Sequence, residues 1–152
     1  MTQTRGTGVM NRTFHSYGPF KSGIRGRVNG ALISMETGPA IAFAIFNLQE
    51  RGEIFIKHNT EDYQGMICGE HSREKDLEVN FLKGKKLTNM RASGSDENVV
   101  LTPPRQMSLE EKMAYINDDE VLEVTPKHLR LRKKYLDHHE RKRMSKNNAQ
   151  NV

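Results

Sequence analysis

Cys68 and His71 are separated by two residues, and His58 lies upstream of them. A thiolate and imidazoles at this spacing are zinc-type ligands, but a structural zinc needs four donors and only three are at hand. No second cysteine exists. The three therefore read as a buried thiol and two surface imidazoles. A thiol in an apolar strand has a raised pKa and little reactivity, which counts against a small hydrolase built on Cys68, His58 or His71. The carboxylates Asp118, Asp119 and Glu120 read as the solvated end of a helix. His138 and His139 are adjacent on an expected helix, cannot face one metal and read as solvent-exposed. Gly18-Pro-Phe-Lys21-Ser22 has a Lys-Ser pair without the glycine spacing of a phosphate-binding loop. No catalytic group, metal ligand set or cofactor site emerges, so the expectation is a chain that is not an enzyme.

Positive charge is the chemistry that remains. Lys83, Lys85, Lys86 and Arg91 occur in a stretch with no acidic residue before Asp96. Its only bulky apolar residues are Leu87 and Met90. Such side chains neutralise phosphates, and arginine pairs with them bidentately. Asn89 and Met90 can meet a base or ribose, while Ser93 and Gly94 allow close backbone approach. The chain has 24 Lys/Arg against 19 Asp/Glu, a net charge of +5. Nine of the bases but only two of the acids lie from Lys127 onward. Arg130, Arg132, Lys133, Lys134, Arg141, Lys142 and Arg143 therefore form a second candidate phosphate-facing surface. Charge concentrated in this way points to a polyanionic partner.

These residues must be carried by a modest core. Among 152 residues, 35% are apolar and 28% charged, which suits one domain of ordinary size. The longest apolar run, Ala40–Phe46, is far too short for a membrane span. Met1–Asn11 has no apolar segment of a secretory signal, and a lone cysteine fits a reducing compartment, so a cytoplasmic location is expected. Strands are expected at Gly8–Phe14, Ala31–Met35, Ala40–Phe46, Glu53–Ile56, Met66–Gly69 and Leu77–Phe81, with glycine and turn residues between them. Ala40–Phe46 is apolar on both strand faces and reads as a covered central strand, joined to Ala31–Met35 by a hairpin. A helical turn is expected over Asn47–Gly52, and Lys21–Gly30 reads as a turn or an extended segment. Ser108-Leu-Glu-Glu111 is a capping box that opens a helix ended by Asn117-Asp118-Asp119. Val121–Thr125 and Leu129–Arg132 read as a hairpin, the rival being a helix from Pro126. Asp137–Met144 is helical, and residues 146–152 are expected to form a disordered tail. The fold class is α+β: mainly antiparallel β, barrel- or sandwich-like, with a few short helices and a long basic loop.

Many blocks of this sequence resemble the C-terminal region of the TypA/BipA translational GTPases. They include Asn29-Gly-Ala-Leu-Ile-Ser34, Ala42-Phe-Ala-Ile-Phe46, Leu48-Gln-Glu-Arg-Gly52 and Tyr63-Gln-Gly-Met-Ile67. Gly69-Glu-His-Ser-Arg73, Asp76-Leu-Glu-Val-Asn80 and Gly84-Lys-Lys-Leu-Thr-Asn-Met-Arg-Ala-Ser-Gly94 follow. The likeness continues through Leu109-Glu-Glu111, Asn117-Asp-Asp-Glu120, Glu123-Val-Thr-Pro126 and Leu129-Arg-Leu-Arg-Lys133. It departs at Lys21-Ser22-Gly23, where the family commonly has Pro-Gly-Glu.

The resemblance implies a domain over residues 21–145 of a GTPase linked to stress adaptation and large-subunit assembly. Residues 1–20 would hold the last strand of a preceding α/β domain. The implied partners are ribosomal RNA, the acceptor end of A-site tRNA and the upstream domains of the same GTPase, with no membrane or DNA. The loop matching Phe81–Val100 would reach toward the peptidyl-transferase centre. GTP and Mg belong to a G domain that these 152 residues do not contain. The alternative is a protein-interaction module that contacts ribosomal proteins or neighbouring domains.

Overall fold

The computed structural model describes residues 7–9, 11–19, 27–84 and 100–150. Eight strands and three helices occur among them: β1 (Ala31–Ser34), β2 (Gly38–Pro39), α1 (Ala42–Leu48), β3 (Gly52–Ile54), β4 (Glu61–Asp62) and β5 (Met66–His71) come first. They are followed by β6 (Leu77–Val79), α2 (Leu109–Tyr115), β7 (Glu120–Val124), β8 (Leu129–Lys133) and α3 (His138–Gln150). The fold is α+β, as expected, but its sheet is open rather than a closed barrel.

Six strands form one sheet in the order β6-β1-β5-β8-β7, with β3 also pairing β5. Only β1 and β6 run parallel; the other pairs are antiparallel. A bulge at Leu32/Ile33 shifts the β1–β5 register. β2 and β4 make a separate two-stranded ribbon. Along one side of β5, β8 pairs with Met66 and Ile67, and β3 pairs with Gly69–His71. Gly52 is needed there, because a Cβ would lie 1.9 Å from the Glu70 carbonyl oxygen.

Alternation along β1 and β5 feeds two apolar clusters. Leu32, Met66 and Cys68 join Ile45, Ile54, Val79 and Phe81. Ala31, Ile33 and Ile67 join Leu131, Met107 and Tyr115 on the opposite face. α1 and α2 thus supply residues to opposite sides. β1, buried throughout, is the doubly covered strand, the place that residues 40–46 were expected to take.

The strand expected at Ala40–Phe46 is corrected, since Ala42–Leu48 is a helix. Ala44, Ile45 and Leu48 fall on one face at helical spacing; Ala44 is buried and Ile45 and Leu48 pack into the first cluster, while Phe46 is exposed. A short run apolar on every side has no period that separates strand from helix. The capping box is present. Ser108 Oγ accepts from the Glu111 N–H at 3.2 Å, and Glu111 Oε2 accepts from the Ser108 N–H at 2.8 Å.

β7 and β8 form the expected antiparallel hairpin. Its turn is closed by the Thr125 N–H donating to the His128 carbonyl at 2.9 Å and the His128 N–H donating to Thr125 Oγ1 at 3.0 Å. Helix α3 continues to Gln150, into the stretch expected to be a disordered tail. Residues 7–9 and 11–19 are exposed and belong to no strand among the described residues, so the strand expected at Gly8–Phe14 is not formed there.

Candidate nucleic-acid interface

Lys83 is exposed at the end of the described segment that leads into the basic loop. Lys85, Lys86, Asn89, Met90, Arg91, Ser93 and Gly94 lie outside the described residues. The described residues on either side of that stretch are packed and hydrogen-bonded. Phe81 is fully buried, and Leu82 and Leu101 pack against the same apolar cluster. The Gln49 amide joins the far root: its Nε2 donates to the Val100 carbonyl at 3.4 Å, and its Oε1 accepts from the Thr102 N–H at 3.1 Å. The end of α1 thereby positions the point at which the chain returns from the loop.

The second group of basic residues is divided by the alternation of β8. Arg130 and Arg132 lie together beside Glu123, at 3.5 and 3.9 Å. The Tyr63 hydroxyl donates to the same carboxylate at 2.7 Å. Partly exposed pairs of this kind contribute little and leave the guanidinium groups open to an external anion.

Lys133 is placed differently from the expectation of a phosphate-facing residue. Its side chain is 3% exposed and its ammonium contacts Asp76, Asp119 and Glu120 at 2.7, 2.8 and 2.9 Å. Glu120, expected at a solvated helix end, has a fully buried side chain. Arg27, from the segment read as a turn, grips it through Nη2 at 2.6 Å and Nη1 at 3.2 Å. The Arg27 guanidinium also lies 4.5 Å from the Tyr115 ring centroid. Burial alone would lower the Lys133 pKa, but hydrogen bonds to Asp119 and Asp76 and the charge of Glu120 hold it above the usual lysine value. For Asp76, burial pushes upward and is outweighed by hydrogen bonds from Lys133 and the Ala31 N–H, leaving it below the usual value.

Arg141 is also structural. Its Nη2 donates to Glu78 Oε1 at 2.5 Å, and its Nη1 donates to the Tyr135 and Leu136 carbonyls at 2.9 and 2.5 Å. His138 meets the same Glu78 carboxylate and is half-buried, contrary to the expected exposure. These contacts dock α3 on β6. Lys134, Lys142 and Arg143 remain exposed.

Cys68 is buried, and desolvation pushes its thiol pKa well up. His58 is exposed and His71 is held by its Nδ1 against the Lys75 carbonyl at 2.6 Å. Among the described residues no group of three His, Cys, Asp or Glu is placed to hold a metal. Native-state alkylation of Cys68 is expected to proceed only as fast as the domain opens, and to match the denatured rate once urea is added. Fast native labelling followed by mass spectrometry would contradict this burial.

A groove not visible in the sequence opens where β3 and β8 part along β5. It encloses about 610 Å³ between residues 55–61, 105–107 and the hairpin residues 127–131. Only Lys127 and Arg130 among its cations lie in a charge run; Lys57, Arg105 and Lys112 come from scattered positions. The buried ion cluster was equally hidden, since Arg27 and Glu120 are 93 positions apart.

This open, largely antiparallel α+β sheet places the molecule among mixed two-sided sheet domains. Residues 29–138 match the model of the TypA/BipA C-terminal domain, and the chain belongs to that family. It is 53% identical over 147 residues to the large ribosomal subunit assembly factor BipA of Buchnera aphidicola subsp. Schizaphis graminum, covering 96% of this chain and 24% of the relative. Proteins of the same name from Salmonella typhimurium strain LT2 and Escherichia coli strain K12 are 52% identical with the same coverage. The chain thus spans about a quarter of the length of these relatives. Among the described residues, no helix is long and apolar enough to cross a membrane.

Proposed function

We propose that this domain is the ribosome-contacting, C-terminal part of a cytoplasmic translational GTPase, and that it carries no hydrolytic activity of its own. The observation that carries the reading is membership in a family whose relatives are named large ribosomal subunit assembly factors. In this reading residues 21–145 form the docking domain, and residues 1–20 belong to the preceding one. Lys83, Lys85, Lys86 and Arg91 neutralise ribosomal RNA phosphates. Asn89, Met90, Ser93 and Gly94 approach the acceptor end of A-site tRNA. Exposed Lys134, Lys142 and Arg143, with Arg130 and Arg132, face further phosphates, and the function served is subunit assembly, including under stress.

The test is a salt titration of binding to purified large ribosomal subunits. Binding is expected to fall steeply with salt as counterions are released. The triple variant K85E/K86E/R91E is expected to make the log–log salt slope shallower by about three, near one for each phosphate deprived of its cation. Its circular dichroism spectrum should be unchanged. Unaltered affinity in that variant overturns the loop assignment. Binding that ignores salt and survives nuclease favours a protein-interaction module instead.

A further inference from the structure

The groove beside β5 is lined by Lys57, Arg105, Lys112, Lys127 and Arg130, with His128 at the hairpin turn, against one carboxylate, Glu61. Some of this charge is engaged. Arg105 leans toward Glu53 and Glu70 at 3.1 and 3.7 Å, Arg130 lies 3.5 Å from Glu123, and Lys112 Nζ donates to the Leu129 carbonyl at 2.8 Å. Lys57 and Lys127, from two separate segments of the lining, are exposed and form no ion pair among the described residues. Burial lowers the pKa of Lys112, which is partly desolvated where its Nζ donates to the Leu129 carbonyl.

The floor is of another kind. Phe55 and Met107 belong to the apolar cluster under α2, and the Phe55 ring is held edge-on to Tyr115 with centroids 5.5 Å apart. A cationic rim over an apolar, aromatic-bearing floor matches a nucleotide whose base has left its stack. Duplex RNA presents its phosphates on a convex surface and has no group to fill such a recess. Unpaired strands are bound by the combination found here, a positive groove tracking the backbone above surfaces that accept base faces. A recess near 610 Å³ lies within the range of small-molecule sites and holds one or two nucleotides.

We infer that this groove is a second RNA site, taking an unpaired segment with its phosphates between Lys57, Lys127 and Arg130 and a base over Met107 and Phe55. The inference rests on the RNA-binding reading above and adds a site remote in sequence from the basic loop.

The experiment titrates the whole chain with a short unpaired RNA of mixed sequence while recording amide and methyl NMR spectra. Shifts are expected at Lys57, Lys127 and His128 and at the Met107 methyl group, with the methyl unmoved by a duplex of the same length. K57E/K127E, altering only exposed residues, is expected to bind the unpaired RNA several-fold more weakly. Its salt slope should be shallower by about 1.4, the share of two single-strand phosphates. K85E/K86E/R91E is expected to keep the groove shifts. If the native chain binds RNA and K57E/K127E binds it equally well, the groove assignment is overturned while the loop reading stands. If the native chain binds large ribosomal subunits but no unpaired RNA, the groove assignment is overturned while the loop reading stands; if it binds neither, both fall. Polyglutamate shifting the groove residues as strongly as RNA would reassign the site to an acidic protein segment.

Discussion

Glu120→Ala is expected to destabilise the domain by about 3–5 kcal/mol, enough to unfold much of the population at physiological temperature. The carboxylate is the shared acceptor of two buried cations, Arg27 and Lys133, whose side chains are 4% and 3% exposed. Removing it leaves Asp76 and Asp119 to Lys133 but strips Arg27 of its bidentate partner and leaves the guanidinium desolvated. A half-exposed pair such as Arg130–Glu123 sets the contrast, because truncating Arg130 should cost no more than about 1 kcal/mol. Urea denaturation of E120A and R130A side by side measures both. Equal midpoints for the two variants would show that the buried cluster has no special energetic weight.

The same cluster sets a pH window. The pKa of Lys133 is raised in the folded state, so its contribution is complete below the unfolded lysine pKa and is lost as the pH rises through the folded value. The pKa of Asp76 is lowered, so its contribution is present above the unfolded aspartate pKa and is lost as the pH falls through the folded one. Melting temperature is therefore expected to be flat across neutral pH and to fall at both extremes. In Lys133→Met the alkaline loss should be smaller than in the native chain.

Phe81→Ala is expected to cost about 3–5 kcal/mol by a different route. The ring is fully buried in the cluster that holds Leu32, Ile45, Cys68 and Val79, so its removal opens an apolar cavity. The backbone there is held independently, since the Phe81 carbonyl accepts from the Ile41 N–H at 2.9 Å. The cavity will thus persist rather than collapse, which places the cost at the upper part of that range. Phe81→Leu keeps most of the volume and should lose less. Because Phe81 is one root of the basic loop, affinity for ribosomal subunits should also fall in the alanine variant, even where it remains folded. Chemical denaturation and binding measured on the same preparation separate the two effects.

Local signals were legible. The alternation of Leu129–Arg132 and the capping box at Ser108 have causes within a few residues, whereas the doubly covered strand, expected at residues 40–46, is β1. The helix at Ala42–Leu48 was not legible, because the run Ala40–Phe46 is apolar on every side and only packing of Ile45 and Leu48 on the first apolar cluster decides between the two periods. The polar composition after Ser145 suggested disorder, yet its Lys, Asn, Ala and Gln residues continue α3. The interface was half legible. A run of like charge marks the loop, whereas Lys57 is brought beside Lys127 and Arg130 only where β3 and β8 part along β5. Lys133 sits among the same basic residues as Arg132 and Lys134, and pairing with distant Asp76 and with Glu120 across the hairpin removes it from the surface.

Glu120 and Lys133 are also opposite one another in the last register pair of the β7–β8 hairpin. Sliding β7 by one residue would turn Glu120 to the outer face and bring Val121 or Asp119 against the buried ammonium. The same slip would turn Leu122 away from the second apolar cluster and break the hydrogen bonds that close the turn at Thr125–His128. The buried charges therefore work with the Leu122–Leu131 pairing to disfavour a slipped hairpin, and so keep Arg130 and Arg132 together on the opposite face of β8.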